Sequence, residues 1–155
     1  FNLNIGVFPR VKAVTSINRS ALVMHSAARM FALVNDVKRY PEFLDGCVKV
    51  DVIESSLAAM TARLYLSKAG LSYQFVTRNI LLADEKISLE LEDGPFDYLR
   101  GSWVFTPLRE DACKVEMVLE FGVTGLKGKA LSGLFSPIAA NMVDAFCKRA
   151  DNLFE

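Results

Sequence analysis

The sequence predicts an α+β fold in which a strongly twisted antiparallel sheet of six to seven strands surrounds a long C-terminal helix. Apolar and polar residues alternate in successive segments through the middle of the chain, and short turn sequences separate those segments. Such turns imply antiparallel neighbours. The C-terminal part carries a wide apolar stripe at helical spacing. Because the sheet is apolar on one face only, we expect this helix to cover that face.

The chain begins its folded part with a strand and two short helices. Segment 17–24 reads INRSALVM and is a candidate strand. Ser26 can cap the helix that follows, in which apolar residues recur at helical spacing over 30–37. Pro41 suits the first turn of a second, very short helix, PEFL, which the Asp-Gly pair at 45–46 ends.

Six alternating segments then predict the rest of the sheet, and the last segment predicts the helix. Pro137 lies inside the helical stripe and should kink the helix or split it in two. The predicted strands centre on 48–52, 60–67, 73–78, 87–92, 99–105 and 115–121.

Composition is consistent with one domain and limits the function. The 155 residues are 52% hydrophobic, and 11 of them are phenylalanine, which favours a large cavity or an apolar contact surface. The net charge of zero argues against binding nucleic acid through overall charge alone, and we predict no DNA partner. We find no long uncharged apolar run and no signal-peptide layout. We interpret 1–16 as an N-terminal arm, flexible or non-native, and 17–155 as the domain.

The residues that could perform catalysis or bind a metal are few and scattered. His25 is the only histidine, and a capping or surface role fits it better than a catalytic one. Cys47, Cys113 and Cys147 lie far apart without a CxxC motif, which is typical of reduced, buried thiols in a cytoplasmic protein. No cluster has metal-ligand spacing, and no glycine-rich loop could hold a phosphate. We therefore predict a non-enzymatic protein that requires no cofactor.

Four stretches of the chain resemble one bacterial family. They read SALV…SAARMFALVNDVKRYPEFLDGC, SKAGLSYQFVTRN, LEDGPFDYLRGSWVFTPL and AANMVDAFCKRA. Together they are similar to the ribosome-association toxin A family, which is close kin of the mitochondrial coenzyme Q-binding START-domain proteins. The resemblance implies the START-like helix-grip fold over 17–155. The chain departs from the usual pattern at Asp45, at Pro137 and in the N-terminal arm.

The resemblance implies two functions. One branch of the family holds a polyprenyl quinone such as ubiquinone in its cavity and supports respiration, from the cytoplasm or peripherally at the inner membrane. The other branch contains toxins that bind the large ribosomal subunit and block subunit association. Basic residues that could contact ribosomal RNA phosphates are Lys38, Arg39, Lys127 and Lys129, although solvated surface charge explains them as well.

The inward faces of the strands and the helical stripe supply the candidate cavity lining, although the same residues could simply fill a core. Polar partners for quinone oxygens would come from Tyr73, Thr77, Arg78 and Asn79. Tyr40 and Phe43, in the YPEFLDGC corner between helix and strand, are expected at the cavity lip. The predicted cavity residues are Tyr40, Phe43, Leu64, Leu66, Tyr73, Phe75, Leu89, Leu91, Trp103, Phe105, Met117, Leu119, Phe135, Ile138, Met142 and Phe146.

Overall fold

Seven antiparallel strands form one sheet in the computed structural model, which describes residues 14–154 and, for Lys127, the backbone only. The spatial order is β1-β7-β6-β5-β4-β3-β2, so the first strand pairs with the last. The strands are β1 Thr15–Val23, β2 Cys47–Ser55, β3 Ala59–Lys68, β4 Leu71–Leu82, β5 Lys86–Asp93, β6 Tyr98–Arg109 and β7 Ala112–Gly122. The predicted α+β helix-grip fold is confirmed.

The segment between β1 and β2 forms an α-helix and a 3₁₀ helix. Helix α1, Ala27–Asn35, is capped by Ser26, whose hydroxyl accepts a hydrogen bond from the Arg29 backbone N–H at 3.1 Å. The 3₁₀ helix η1 spans Val37–Glu42. The chain turns tightly as soon as α1 ends, so η1 begins before Pro41. Pro41 thus lies inside η1 rather than in the first turn of a helix, as was predicted.

The C-terminal stripe forms two consecutive helices, α2 over Gly125–Ala140 and α3 over Met142–Phe154. The interruption falls at Asn141, four residues after Pro137, whose carbonyl accepts the Asn141 backbone N–H at 3.2 Å. This agrees with the expected kink or split.

By length and composition alone, Gly128–Phe154 could also cross a membrane. This differs from our expectation that the chain has no apolar run long enough to do so. In the structure its apolar face packs on the sheet.

The first strand begins two residues before the predicted start of the domain at residue 17. Strand β1 begins at Thr15, and Thr15 pairs with Phe121 of β7. Residues 15 and 16 therefore belong to the sheet rather than to the arm. Val14 precedes the strand, and residues 1–13 of the predicted arm lie outside the described residues.

Two clusters of aromatic side chains attach the C-terminal helices to the sheet. Phe135 of α2 packs edge-to-face on Phe75, Phe96 and Phe121, with centroid distances of 5.8, 5.0 and 4.8 Å. Such pairs each contribute about 0.5–1.5 kcal/mol beyond their buried area. We call this the α2 cluster, and it holds the first half of the helical segment.

The second cluster holds α3 on the far side of the helix interruption. Phe146 is fully buried and meets Tyr40, Phe43 and Trp103 edge-to-face, with centroid distances of 5.2, 5.2 and 5.3 Å. Trp103 in turn stacks on Phe105. We call this the α3 cluster. Between the two clusters the helices face the sheet without a large aromatic ring.

The YPEFLDGC corner touches the helices directly. Gly46 has a φ of +94°, and a Cβ atom there would lie 2.4 Å from Ile138 Cδ1. Gly70, in the β3–β4 turn, has a similar φ of +81° but open space around it. Glycine is therefore needed at Gly46 for its conformation and also for the close approach of the corner to α2.

We predict that Gly46→Ala destabilises the protein more than Gly70→Ala. Both changes carry the backbone penalty of about 1–2 kcal/mol for a left-handed alanine, but only Gly46→Ala also pushes against Ile138. The free energy of unfolding, measured by urea denaturation, should show the difference. Adding Ile138→Val should reduce the excess. Equal losses for the two glycine variants would show that the corner and α2 do not constrain each other.

Candidate functional site

An internal cavity of about 80 Å³ lies between the sheet and the helices. Its walls come from α1 and η1, from strands β3 to β7, and from the helical stretch between the two aromatic clusters. The lining residues are Val34, Val37, Tyr40, Leu44, Ala62, Leu64, Leu66, Phe75, Thr77, Asn79, Ile87, Leu89, Leu99, Trp103, Met117, Leu119, Phe135, Ile138, Ala139 and Met142.

Local side-chain size explains where this space is found. Ala139 is the small residue on the helical stretch that faces the sheet between Ile138 and Met142. On the sheet, Ala62 of β3 pairs with Thr77 of β4, so two short side chains lie side by side on the inward face. Rings on either side hold the helices at a fixed height above these short residues, and a gap is left.

The structure places most of the predicted cavity residues in the lining, and five outside it. Phe105 and Phe146 are fully buried in the α3 cluster, where Phe146 packs on Trp103 and Phe105 packs between Trp103 and Phe31 of α1. Phe43 is half-buried at the surface, with the Arg149 guanidinium 5.0 Å above its ring. Tyr73 and Leu91 are half-buried at the margin of the core and do not reach the cavity. These five residues were predicted to line the cavity, and in the structure they do not.

Sequence reasoning missed several apolar lining residues. Val34, Val37 and Leu44 belong to α1, η1 and the corner, and their inward direction depends on how those short helices turn. The other missed apolar residues are Ala62, Ile87, Leu99 and Ala139. Ala62, Ile87 and Leu99 lie on inward-facing positions of predicted strands, so the alternation pattern could have found them.

Besides Trp103, whose indole N–H can donate, the polar side chains at the cavity are Tyr40, Thr77 and Asn79 within the described part of the chain. Tyr40 is buried, and its hydroxyl donates a hydrogen bond to the Val34 backbone carbonyl at the end of α1. Burial raises the pKa of the Tyr40 phenol far above its usual range, so this group stays neutral. Tyr40 thus serves mainly to join η1 to α1.

Thr77 and Asn79 lie two residues apart on β4 and point to the same face. The Asn79 Oδ1 atom is buried and has no hydrogen-bond partner in the protein. Of the four polar partners suggested for a ligand, these two line the cavity. Arg78 lies between them on the opposite, exposed face, and Tyr73 does not reach the cavity.

The nucleophile and base candidates lie elsewhere in the fold. His25 is buried, which corrects the expected surface role, and its Nε2 atom lies 2.8 Å from Asp151 Oδ1 of α3. Ser26, not His25, caps α1. Neither His25 nor any of the three cysteines lines the cavity. This histidine joins the beginning of α1 to the end of α3.

The cysteines are poorly suited to nucleophilic chemistry. Burial raises the pKa of the Cys47 thiol to about 11, and burial, aided by the nearby Asp144 and Asp151 carboxylates, raises that of Cys147 to about 11. Burial also raises the pKa of Cys113. At neutral pH all three thiols are protonated, and the thiolate is the reactive form. Over residues 14–154, no group of three or more histidine, cysteine or carboxylate side chains could hold a metal ion.

Comparison with known proteins places this geometry in a family. Residues 23–147 match the family model described as polyketide cyclase / dehydrase and lipid transport. The chain is 50% identical over 139 residues to "Ribosome association toxin RatA" of Vibrio cholerae, covering 89% of this chain and 96% of that protein. It is 28% identical over 137 residues to "Coenzyme Q-binding protein COQ10, mitochondrial" of Drosophila melanogaster, covering 88% of this chain and 55% of that protein.

A solved structure supports the fold independently of sequence. The Zhui aromatase/cyclase of a Streptomyces species superposes with a TM-score of 0.80 at 15% identity, covering 92% of this chain and 97% of that one. This likeness concerns the fold alone, since the identity is low. The family match spans most of the chain and the bacterial relative matches half of its aligned residues. The chain therefore belongs to the ribosome-association toxin A family of START-like domains.

Proposed function

We propose that the protein binds a neutral, hydrophobic ligand in the cavity between the sheet and α2–α3 and does not transform it chemically. The observation that carries this proposal is the cavity itself, whose apolar walls hold a buried carboxamide oxygen without a partner at Asn79. A buried polar atom that lacks a partner costs roughly 1–3 kcal/mol in a folded protein. A ligand with a suitable polar group would remove that cost.

The ligand must widen the cavity on entry. At about 80 Å³ the cavity is smaller than the engineered cavity of roughly 150 Å³ that admits benzene. Met117 and Met142 line it, and methionine side chains adapt readily to new shapes. Met142 also follows the helix interruption at Asn141, where α2 and α3 can change their relative angle. We expect the widening to occur there.

A polyprenyl quinone such as ubiquinone is the ligand we favour. An isoprenoid tail suits apolar walls, since each buried CH₂ contributes about 0.8 kcal/mol. The Thr77 hydroxyl and the Asn79 amide N–H groups can donate hydrogen bonds to oxygens of the head group. The name of the Drosophila relative supports a quinone. In this proposal the protein supports respiration from the cytoplasm, with peripheral contact at the inner membrane, and needs no cofactor.

Filling the cavity should weaken ligand binding. Ala62 is buried at the cavity wall, and Ala62→Leu should lower the affinity for decylubiquinone at least about tenfold, because overpacking costs more than about 1.4 kcal/mol. Equilibrium dialysis measures the affinity. The matched control is Ala58→Leu in the exposed β2–β3 turn, which should bind as the original protein does. Unchanged binding by a folded Ala62→Leu variant would exclude this cavity as the site.

Ribosome binding is a second candidate function, favoured by the name of the Vibrio relative at 50% identity. Lys38 and Lys129 are exposed and available to RNA phosphates. Arg39 forms ion pairs with Asp36 at 3.3 Å and Glu42 at 3.2 Å, so its charge is partly neutralised. The side chain of Lys127 lies outside the described part of the structure. We propose that Lys38 and Lys129 contact the large subunit and that this contact blocks subunit association.

Sucrose-gradient cosedimentation tests this second function. We predict that the protein travels with isolated large subunits at low salt and dissociates as salt rises, because phosphate contacts release counterions. The double variant Lys38→Glu/Lys129→Glu should dissociate at lower salt. The control is Lys114→Glu on β7, where Lys114 is paired with Glu116. If the protein is missing from the large-subunit fraction even at low salt, ribosome binding is wrong.

A further inference from the structure

The Asn79 carboxamide is the most specific chemical feature of the cavity. Its cross-strand neighbours are Met60 on β3 and Leu89 on β5, and neither side chain can donate a hydrogen bond to it. The buried Oδ1 atom accordingly lacks a partner. The Oδ1 atom only accepts hydrogen bonds, so it requires a donor that the protein does not supply.

The charge of the lining limits which ligands can enter. None of the described residues that line the cavity is charged. A ligand with an ionised carboxylate or phosphate at this depth would therefore be desolvated without a counter-ion, which is strongly unfavourable. The ligand head must be polar and uncharged.

From these two observations we propose that the cavity selects ligands whose head group bears a hydroxyl over ligands that offer only carbonyl oxygens. A hydroxyl can donate a hydrogen bond to the Asn79 Oδ1 atom, whereas a carbonyl only accepts and leaves that atom unpaired. Thr77, on the same strand face as Asn79, adds a hydroxyl that can accept a hydrogen bond from the ligand or donate one to it. For a quinone-type ligand the reduced form, the quinol, is preferred to the quinone. This inference rests on the proposed ligand-binding function and specifies the ligand's redox state.

The expected selectivity follows from the hydrogen bond to Asn79 Oδ1 that a hydroxyl can donate and a carbonyl cannot. Leaving a buried acceptor unpaired weakens binding roughly tenfold relative to a ligand that pairs with it. We therefore expect decylubiquinol to bind about tenfold more tightly than decylubiquinone. Because the two molecules share the same tail and nearly the same shape, the contribution of the apolar walls to binding is the same for both.

Competitive dialysis under argon tests the selectivity with both redox forms of the same probe. A long-chain secondary alcohol and the matching methyl ketone form a second pair that cannot exchange electrons during the measurement. In Asn79→Leu, the preference within each pair should fall to about one while binding of the tail persists. The matched control is Arg78→Leu, which introduces the same side chain one residue earlier on the exposed face of β4, and should retain the preference.

The outcomes separate this inference from the function on which it rests. Equal affinity within each pair, or tighter binding of the quinone and the ketone, overturns the hydroxyl preference and leaves hydrophobic ligand binding standing. A preference that survives Asn79→Leu also overturns it, since the carboxamide would then not be responsible. Failure of all four probes to bind overturns the proposed function, and the selectivity with it.

Discussion

Edge-to-face packing of phenylalanine rings holds the C-terminal helices to the sheet, and the remaining features of the interior depend on it. Phe135 and Phe146 are the two anchors, one in α2 and one in α3. Each is surrounded by rings from the sheet, from the β5–β6 connection or from the η1 corner. Since neither anchor can approach the sheet more closely, the shorter side chains between them cannot close the gap. The cavity is thus a consequence of where the large and small residues fall along one helical stripe.

The YPEFLDGC corner connects this cavity to the rest of the fold. Tyr40 packs against Phe146 and hydrogen-bonds to the end of α1, while Gly46 lies directly against Ile138. One short segment therefore contacts both halves of the helical stripe, on either side of the interruption at Asn141. A change in the angle between α2 and α3 must move this corner. The segment is a structural wall of the cavity rather than a reactive centre, because Cys47 is buried and protonated.

Most of the features that could be predicted from the sequence, namely the strands, the helices and their apolar faces, depend on local residue patterns. Alternation and turn residues identify the strands and their inward faces, so Leu64, Leu66 and Trp103 could be assigned to the cavity wall from sequence. The pattern cannot show which inward residues the helices cover. Phe105 and Phe146 have the same periodic signal as Trp103 and Met142, yet they are packed core. Phe105 meets the ring of Phe31 from α1, and Phe146 of α3 meets rings from the η1 corner and the sheet. The burial of His25 also depends on a contact distant in sequence, with Asp151.

Trp103 provides the most direct measurement of the central claim, that the space between the two clusters is a ligand site. It is the only tryptophan of the chain, is buried, and lines the cavity. Delipidated protein titrated with a long-chain quinone should show quenching of Trp103 fluorescence that saturates at one ligand per protein. Quenching that rises linearly without saturation, as for collisions in solution, would contradict the account and leave the cavity as a packing defect.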